Sequence, residues 1–107
     1  MLGDGNGWVF GPNGEKYWGK FGAAGLFLQA GDKILLQHRA AWTAQGDTWG
    51  IPGGARDSHE SATEAALRET VEECGIDPAH VEPVEEVVTM RVPGWSYTTV
   101  LARTIDG

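Results

Sequence analysis

Three glutamates, Glu69, Glu72 and Glu73, stand at i, i+3 and i+4 in the second half of the chain. On a helix that spacing puts all three carboxylates on one side. Like charges so placed repel each other. They also fall where a helix would end, and the helix dipole disfavours negative charge there. A breach of two local rules at one place is expected where a site needs the charge. Three convergent carboxylates suit a hard divalent cation such as Mg²⁺, which takes oxygen ligands and keeps several waters. Taken alone, the same pattern also fits a solvated acidic helix face.

The elements around the glutamates are well marked. Ser61-Ala62-Thr63-Glu64 has the form of a capping box, with Ser61 as N-cap and Glu64 reaching back. Gly75 sits where a C′ glycine is expected, and Asp77-Pro78 blocks continuation. On a wheel of about 100° per residue, Thr63, Leu67, Thr70, Val71 and Cys74 form the expected core stripe. Ala62, Ala65 and Ala66 make a second, small-residue face leading to the three carboxylates. Upstream, Ala23–Gln29 and Ile34–His38 read as strands joined by a tight turn at 30–33. A polar loop over 39–48 follows, then a short strand over 49–51. Pro52-Gly53-Gly54 is expected to end that strand and open a loop. Downstream, 85–92 and 95–105 read as strands joined at Pro93-Gly94. Residues 1–20, with a turn signal at Gly11-Pro12-Asn13-Gly14, read as an arm or hairpin, and 21–107 as one domain. Strands, one long helix and strands again predict an α+β or α/β/α layered fold with a mixed sheet.

Composition narrows the function. The chain has 107 residues, 15 acidic and 8 basic, and a formal net charge of −7. Polymeric nucleic acid and anionic membranes call for an excess of Lys and Arg, so neither is an expected partner. A nucleotide remains compatible, because a bound metal ion reverses the sign of a site. No apolar run approaches the ~18 residues of a membrane span, and the N-terminus has no signal-peptide pattern. The single cysteine, Cys74, excludes a disulfide framework within one chain. A cytoplasmic protein is expected.

Gly54, five residues, Glu60, seven residues, Arg68-Glu69, two residues, Glu72-Glu73, one residue, Gly75-Ile76: this series resembles the Nudix box of the MutT-like pyrophosphohydrolases. One position departs, with Thr70 where the box carries a larger apolar residue. The resemblance extends upstream through Gly25–Leu28, Ile34–Arg39 and Trp49–Gly54, and downstream through 84–105. It implies a mixed-sheet fold and hydrolysis of a nucleoside diphosphate linked to some moiety X, assisted by Mg²⁺ or Mn²⁺. Relatives continue further after the box, with another strand and a terminal helix. That implies an exposed sheet face here, a longer natural chain, or completion by a second copy in a homodimer.

Carried over by position, the metal ligands are Glu69, Glu72, Glu73 and the Gly54 carbonyl. Arg68 orients a carboxylate of the cluster; by spacing alone it would also pair with Glu72. The resemblance implies a general base that is either a box glutamate, here Glu69 or Glu72, or a glutamate from a loop beyond the later strands. Glu60 fits either a supporting partner in the loop or the start of the helix, and Gly53 a backbone geometry that a side chain would block. Arg39 is the expected phosphate contact, with a plain surface arginine as the alternative. His59 could approach substrate from the box loop, though a surface histidine is the simpler reading. Trp95 and Tyr97 could stack on a base, or simply fill the core. The competing function is a nucleotide-binding or regulatory module that does not cleave, or a fragment of a longer hydrolase.

Overall fold

A computed structural model describes residues 4–38 and 49–105, with backbone alone at His38 and Trp49. The expected polar loop at 39–48, including Arg39 and Trp42, lies outside the described residues. The N-terminal hairpin is present: β1 (Trp8–Phe10) pairs antiparallel with β2 (Lys16–Trp18) across the Gly-Pro-Asn-Gly turn. Its aromatic face is pinned by an edge-on contact between Trp8 and Trp18 at 5.0 Å and by Lys16 over the Trp8 ring.

The main sheet is built around β3 (Ala23–Ala30), whose first six residues are a small and apolar run of the kind that is buried on both faces. On one side β3 pairs with β9 (Trp95–Thr104) in parallel. On the other it pairs antiparallel with β4 (Lys33–Ile34) at its end and with β7 (Gly53–Ala55) at its start. The edge strand β8 (Val81–Val92) pairs antiparallel with β9. The fold is therefore α+β, a mixed sheet with one α-helix packed against it. A separate short pair joins β5 (Gln37–His38) to β6 (Trp49–Gly50).

Two expectations on the strands are corrected. Gly53 and Gly54 do not open a loop; they lie in β7 against Gly25 and Ala24. A Cβ on Gly53 would fall 2.4 Å from the Ala24 carbonyl oxygen, so only glycine permits this close pairing. β8 begins at Val81 rather than Glu85, because the register shifts at Pro83. Proline is tolerated at an edge strand with such an irregularity.

The helix α1 (Ala62–Cys74) has the expected ends. Ser61 Oγ accepts from Glu64 N–H, Glu64 returns a carboxylate to Ser61 N–H, and Gly75 is left-handed at φ 68°. Glu86 on β8 adds a second anion there, accepting from Thr63 N–H at 3.0 Å and from its hydroxyl. Of the expected core stripe, Thr70 is buried and Leu67 packs on the core, but the alanine face is buried as well. The buried positions are Ala62, Ala65, Ala66 and Thr70, while Val71 is exposed and Thr63 and Cys74 are half-buried. The alanines let the helix lie close on Ala24, Leu26 and Leu28 of β3 and Val100 and Ala102 of β9. Leu67 packs against this core from the side.

The face of the sheet away from α1 carries apolar residues that remain exposed. Val87 and Met90 pair with Thr99 and Tyr97, on the side opposite the helix-facing Thr98 and Val100, and both are exposed. No helix among the described residues is long and apolar enough to cross a membrane.

Removing the Ser61 hydroxyl (Ser61→Ala) should cost about 1 kcal/mol in urea denaturation. Removing the Glu86 carboxylate (Glu86→Ala) should cost about 0.3–1 kcal/mol. An unchanged midpoint for Glu86→Ala would contradict its role at the helix N-terminus.

Candidate functional site

The site is organised by Arg68, on the face of α1 turned towards β7 and the 56–60 loop. Its Nε donates to Glu60 Oε2 at 2.7 Å and its Nη2 to Glu60 Oε1 at 2.9 Å, a two-pronged pair. Nη2 also donates to the Ala55 carbonyl at 3.0 Å. Nη1 donates to Glu69 Oε1 at 3.0 Å and reaches Glu72 only at 3.4 Å. So the i, i+4 pair that spacing allowed is the longest hydrogen bond the guanidinium makes. Glu60, at 8% exposure, is buried. Its other partner is the Asp57 backbone N–H. The Arg68 hydrogen bonds hold the Glu60 carboxyl below the usual carboxylate range against the opposing effect of burial. The guanidinium is correspondingly raised above its ordinary value.

The three helix glutamates differ in what holds them. Glu69 lies against the backbone of Gly54: a Cβ there would sit 2.6 Å from Glu69 Cδ and 2.8 Å from either carboxylate oxygen. Its side chain is 19% exposed. Burial pushes the Glu69 carboxyl up, Arg68 opposes this, and Glu72 and Glu73 add to the rise. Glu73 accepts from Gly53 N–H at 3.0 Å and from Gln37 Nε2 at 2.7 Å. Glu72 is the open one, with a side chain 58% exposed. The glycine pair thus does two jobs. Gly53 offers a backbone donor to one carboxylate, and Gly54 leaves room for another.

This donor set fits a divalent cation. It is all carboxylate and carbonyl oxygen, the ligand type hard cations take. One guanidinium, mostly committed to Glu60, serves Glu69 and Glu72 as well, and the Glu69 carboxyl is raised chiefly by burial, with a smaller contribution from Glu72 and Glu73. The residues whose potential ligand atoms lie within 4.8 Å of one another are a different trio, Asp57, His59 and Glu60. Their carboxylates are already taken: Glu60 by Arg68, and Asp57 by Gly5 N–H at 2.9 Å with Arg68 at 3.7 Å. Asp57 and Glu60 of that trio thus belong to the ion-pair network around Arg68.

Seven of the eight site residues expected from sequence come together here: Gly53, Gly54, Glu60, Arg68, Glu69, Glu72 and Glu73. Arg39 lies outside the described residues. His59 is exposed beside the loop network. Trp95 stacks on Tyr17 at 4.8 Å and lies 6.4 Å from Tyr97, so both rings contribute to packing between hairpin and sheet. Sequence reasoning missed Gln37 and Asp57. Asp57 sits three residues before Glu60, a spacing that suits a tight turn. Gln37 carried no local signal, since its partner is 36 positions away.

Two outcomes follow from this geometry. Glu60→Gln should lower stability most between pH 5 and 7, where the native carboxylate is charged. Because the folded value lies below the ordinary 4.5, the wild-type advantage should fade as pH falls below about 4.5. A gap in thermal midpoint that stays constant down to pH 3 would contradict the ion-pair assignment. Separately, Gly53→Ala meets backbone and should destabilise the fold, whereas Gly54→Ala meets only the end of Glu69 and should displace that side chain with a smaller loss. Chemical denaturation of the two variants distinguishes the glycines.

A family model of the NUDIX domain matches residues 19–105. The chain is 51% identical over 112 residues to a Mycobacterium tuberculosis protein named as a candidate 8-oxo-dGTP diphosphatase, covering 95% of this chain and 52% of that protein. It is 47% identical over 105 residues to a nucleoside triphosphate pyrophosphatase/Nudix hydrolase fusion protein of Bifidobacterium longum, covering 92% of this chain and 22% of the fusion. The chain thus spans about half of the first relative and less of the second. Among solved structures, the Nudix hydrolase RenU of M. smegmatis superposes with a TM-score of 0.84 at 45% identity, over 92% of this chain and 70% of that one. With the box geometry and these matches together, the chain belongs to the NUDIX domain family.

Proposed function

We propose that this chain is a divalent-cation-dependent Nudix hydrolase that cleaves a pyrophosphate bond in a nucleoside diphosphate linked to X. The first substrate to test is 8-oxo-dGTP, the nucleotide in the name of the M. tuberculosis relative. The observation that carries the reading is the seating of Glu69 and Glu73 on the Gly53-Gly54 backbone, with Arg68 fixing the helix from behind.

In this reading Glu69, Glu72, Glu73 and the Gly54 carbonyl hold Mg²⁺ or Mn²⁺. The bound ion polarises phosphoryl oxygens and brings a polyanionic substrate to an acidic surface. Mg²⁺ keeps several of its waters, so the carboxylates need not crowd into one shell. Arg68 does not contact substrate. It holds Glu69 in place by one hydrogen bond while Glu60 fixes the guanidinium plane. Glu72, with only a 3.4 Å contact to Arg68, is the carboxylate free to take a proton. A water oxygen attacks phosphorus, its proton passes to a Glu72 carboxylate oxygen, and the P–O anhydride bond breaks with the phosphate product leaving. A cytoplasmic setting suits such a substrate.

Steady-state turnover of 8-oxo-dGTP with Mg²⁺, with a panel of other nucleotides alongside, tests the reading. Glu73→Gln should lower turnover by about 100-fold or more while its melting transition stays cooperative. Undiminished turnover in that variant would sink the ligand assignment. A wild-type protein that binds the nucleotide but hydrolyses none with Mg²⁺ or Mn²⁺ would instead make it a binding module.

A further inference from the structure

The box loop is held from outside the domain core. Asp4 accepts from Ser58 N–H at 2.8 Å and from the Ser58 hydroxyl. Next to it, Gly5 N–H donates to Asp57 Oδ1 at 2.9 Å, a buried hydrogen bond. Gly5 lies so close to the loop that a Cβ on it would fall 2.0 Å from the Arg56 carbonyl oxygen. The segment is also tied at its base. Lys20 N–H donates to the Gly5 carbonyl at 2.8 Å and Gly19 N–H to the Gly7 carbonyl at 2.7 Å. Between these ties runs the β1–β2 hairpin, which is anchored on the sheet by Tyr17 stacked on Trp95 and by Trp95 Nε1 donating to the Trp18 carbonyl. Residues 4–20 thus form a strap with one end on β9 and the other on residues 56–58.

That end leads into the site through consecutive hydrogen bonds. Gly5 N–H holds the Asp57 carboxylate, and the Asp57 backbone N–H donates to Glu60 Oε1 at 3.0 Å. Glu60 holds Arg68 by two bonds, and Arg68 holds Glu69. Asp57 and Glu60 are both buried, so these bonds face little competition from water. Without Gly5 N–H, Asp57 would keep a charge in a buried place with only a 3.7 Å contact to Arg68, and the loop would have to rearrange.

We propose that Asp4 and Gly5 are positioning residues of the hydrolase site: the N-terminal strap sets the box loop, and through Asp57, Glu60 and Arg68 it sets the carboxylate of Glu69 for its cation. The kinetic part of this proposal rests on the function proposed above; the structural part does not. Supporting groups one step removed from a metal commonly change affinity or activity by tenfold or more when lost.

The test uses the full chain with Asp4→Ala, Asp4→Asn and Gly5→Ala, read in two ways. The first is solvent exchange of the Arg68 Nε–H proton by ¹⁵N NMR, which needs neither metal nor substrate. The second is the Mg²⁺ concentration for half-maximal turnover of 8-oxo-dGTP, with KM for nucleotide measured at saturating Mg²⁺. Asp4→Ala and Gly5→Ala should speed the exchange and raise the Mg²⁺ requirement measurably, by less than the roughly tenfold typical of a group that touches a metal ligand, with nucleotide KM little changed. Asp4→Asn, which keeps an acceptor for Ser58 N–H, should restore both. Wild-type exchange and wild-type Mg²⁺ requirement in Asp4→Ala and Gly5→Ala would overturn the proposal. So would a fall in kcat alone, because that is what a smaller folded fraction gives. If the wild type proves inactive, the proposed function fails, and the exchange measurement still decides the strap.

Discussion

The Glu60–Arg68 pair is the constraint on which the rest of the site depends. A guanidinium is planar and always charged, so a two-pronged partner fixes its orientation as well as its place. Glu60 supplies that partner from a buried position. With two faces of Arg68 committed to Glu60 and the Ala55 carbonyl, the remaining nitrogen points at Glu69. The pair therefore ties three elements together: the box loop, β7 and the helix. Removing one partner of such a buried pair leaves a charge without compensation, which is the costly direction.

The surplus of negative charge then becomes intelligible. Six of the chain's 15 acidic residues lie between Gly54 and Ile76, and the last turn of α1 has no basic residue to offset its dipole. The fold meets this with backbone donors and with one arginine. Gly53 N–H answers Glu73, Thr63 N–H and Gly5 N–H answer Glu86 and Asp57, and Arg68 answers Glu60. Arg68 also answers Glu69, but there burial outweighs it. Glu69 lies against the Gly54 backbone, and burial opposes the ionisation of its carboxyl. In the proposed function a divalent cation would relieve that opposition.

Much of this was legible in the sequence where the signal is local. Ser61, Glu64 and Gly75 marked the helix ends correctly because capping is decided within a few residues. The spacing from Gly54 to Ile76 named six residues that the fold brings together, Gly54, Glu60, Arg68, Glu69, Glu72 and Glu73. The core face of α1 was read in part: Thr70 and Leu67 of the expected stripe face the core, whereas Val71 does not and the alanines were placed on a second face. Ala62, Ala65 and Ala66 are buried since their small size allows close approach to β3, and Val71 is left outside. The partners that complete the site were invisible for a different reason. Gln37 meets Glu73 across 36 positions, and Asp4 meets Ser58 across 54. No local pattern encodes such pairings; they exist only once the sheet has set the distances.

The central claim is that Glu69 and Glu73, seated on Gly53-Gly54, hold a divalent cation. Titration of Mn²⁺ into the protein, followed by electron paramagnetic resonance of the free ion, measures this without substrate. Wild-type protein should remove Mn²⁺ from solution at a stoichiometric site, and Glu69→Gln and Glu73→Gln should each weaken that binding by about tenfold or more. Mn²⁺ binding of equal strength in wild type and both variants would contradict the claim.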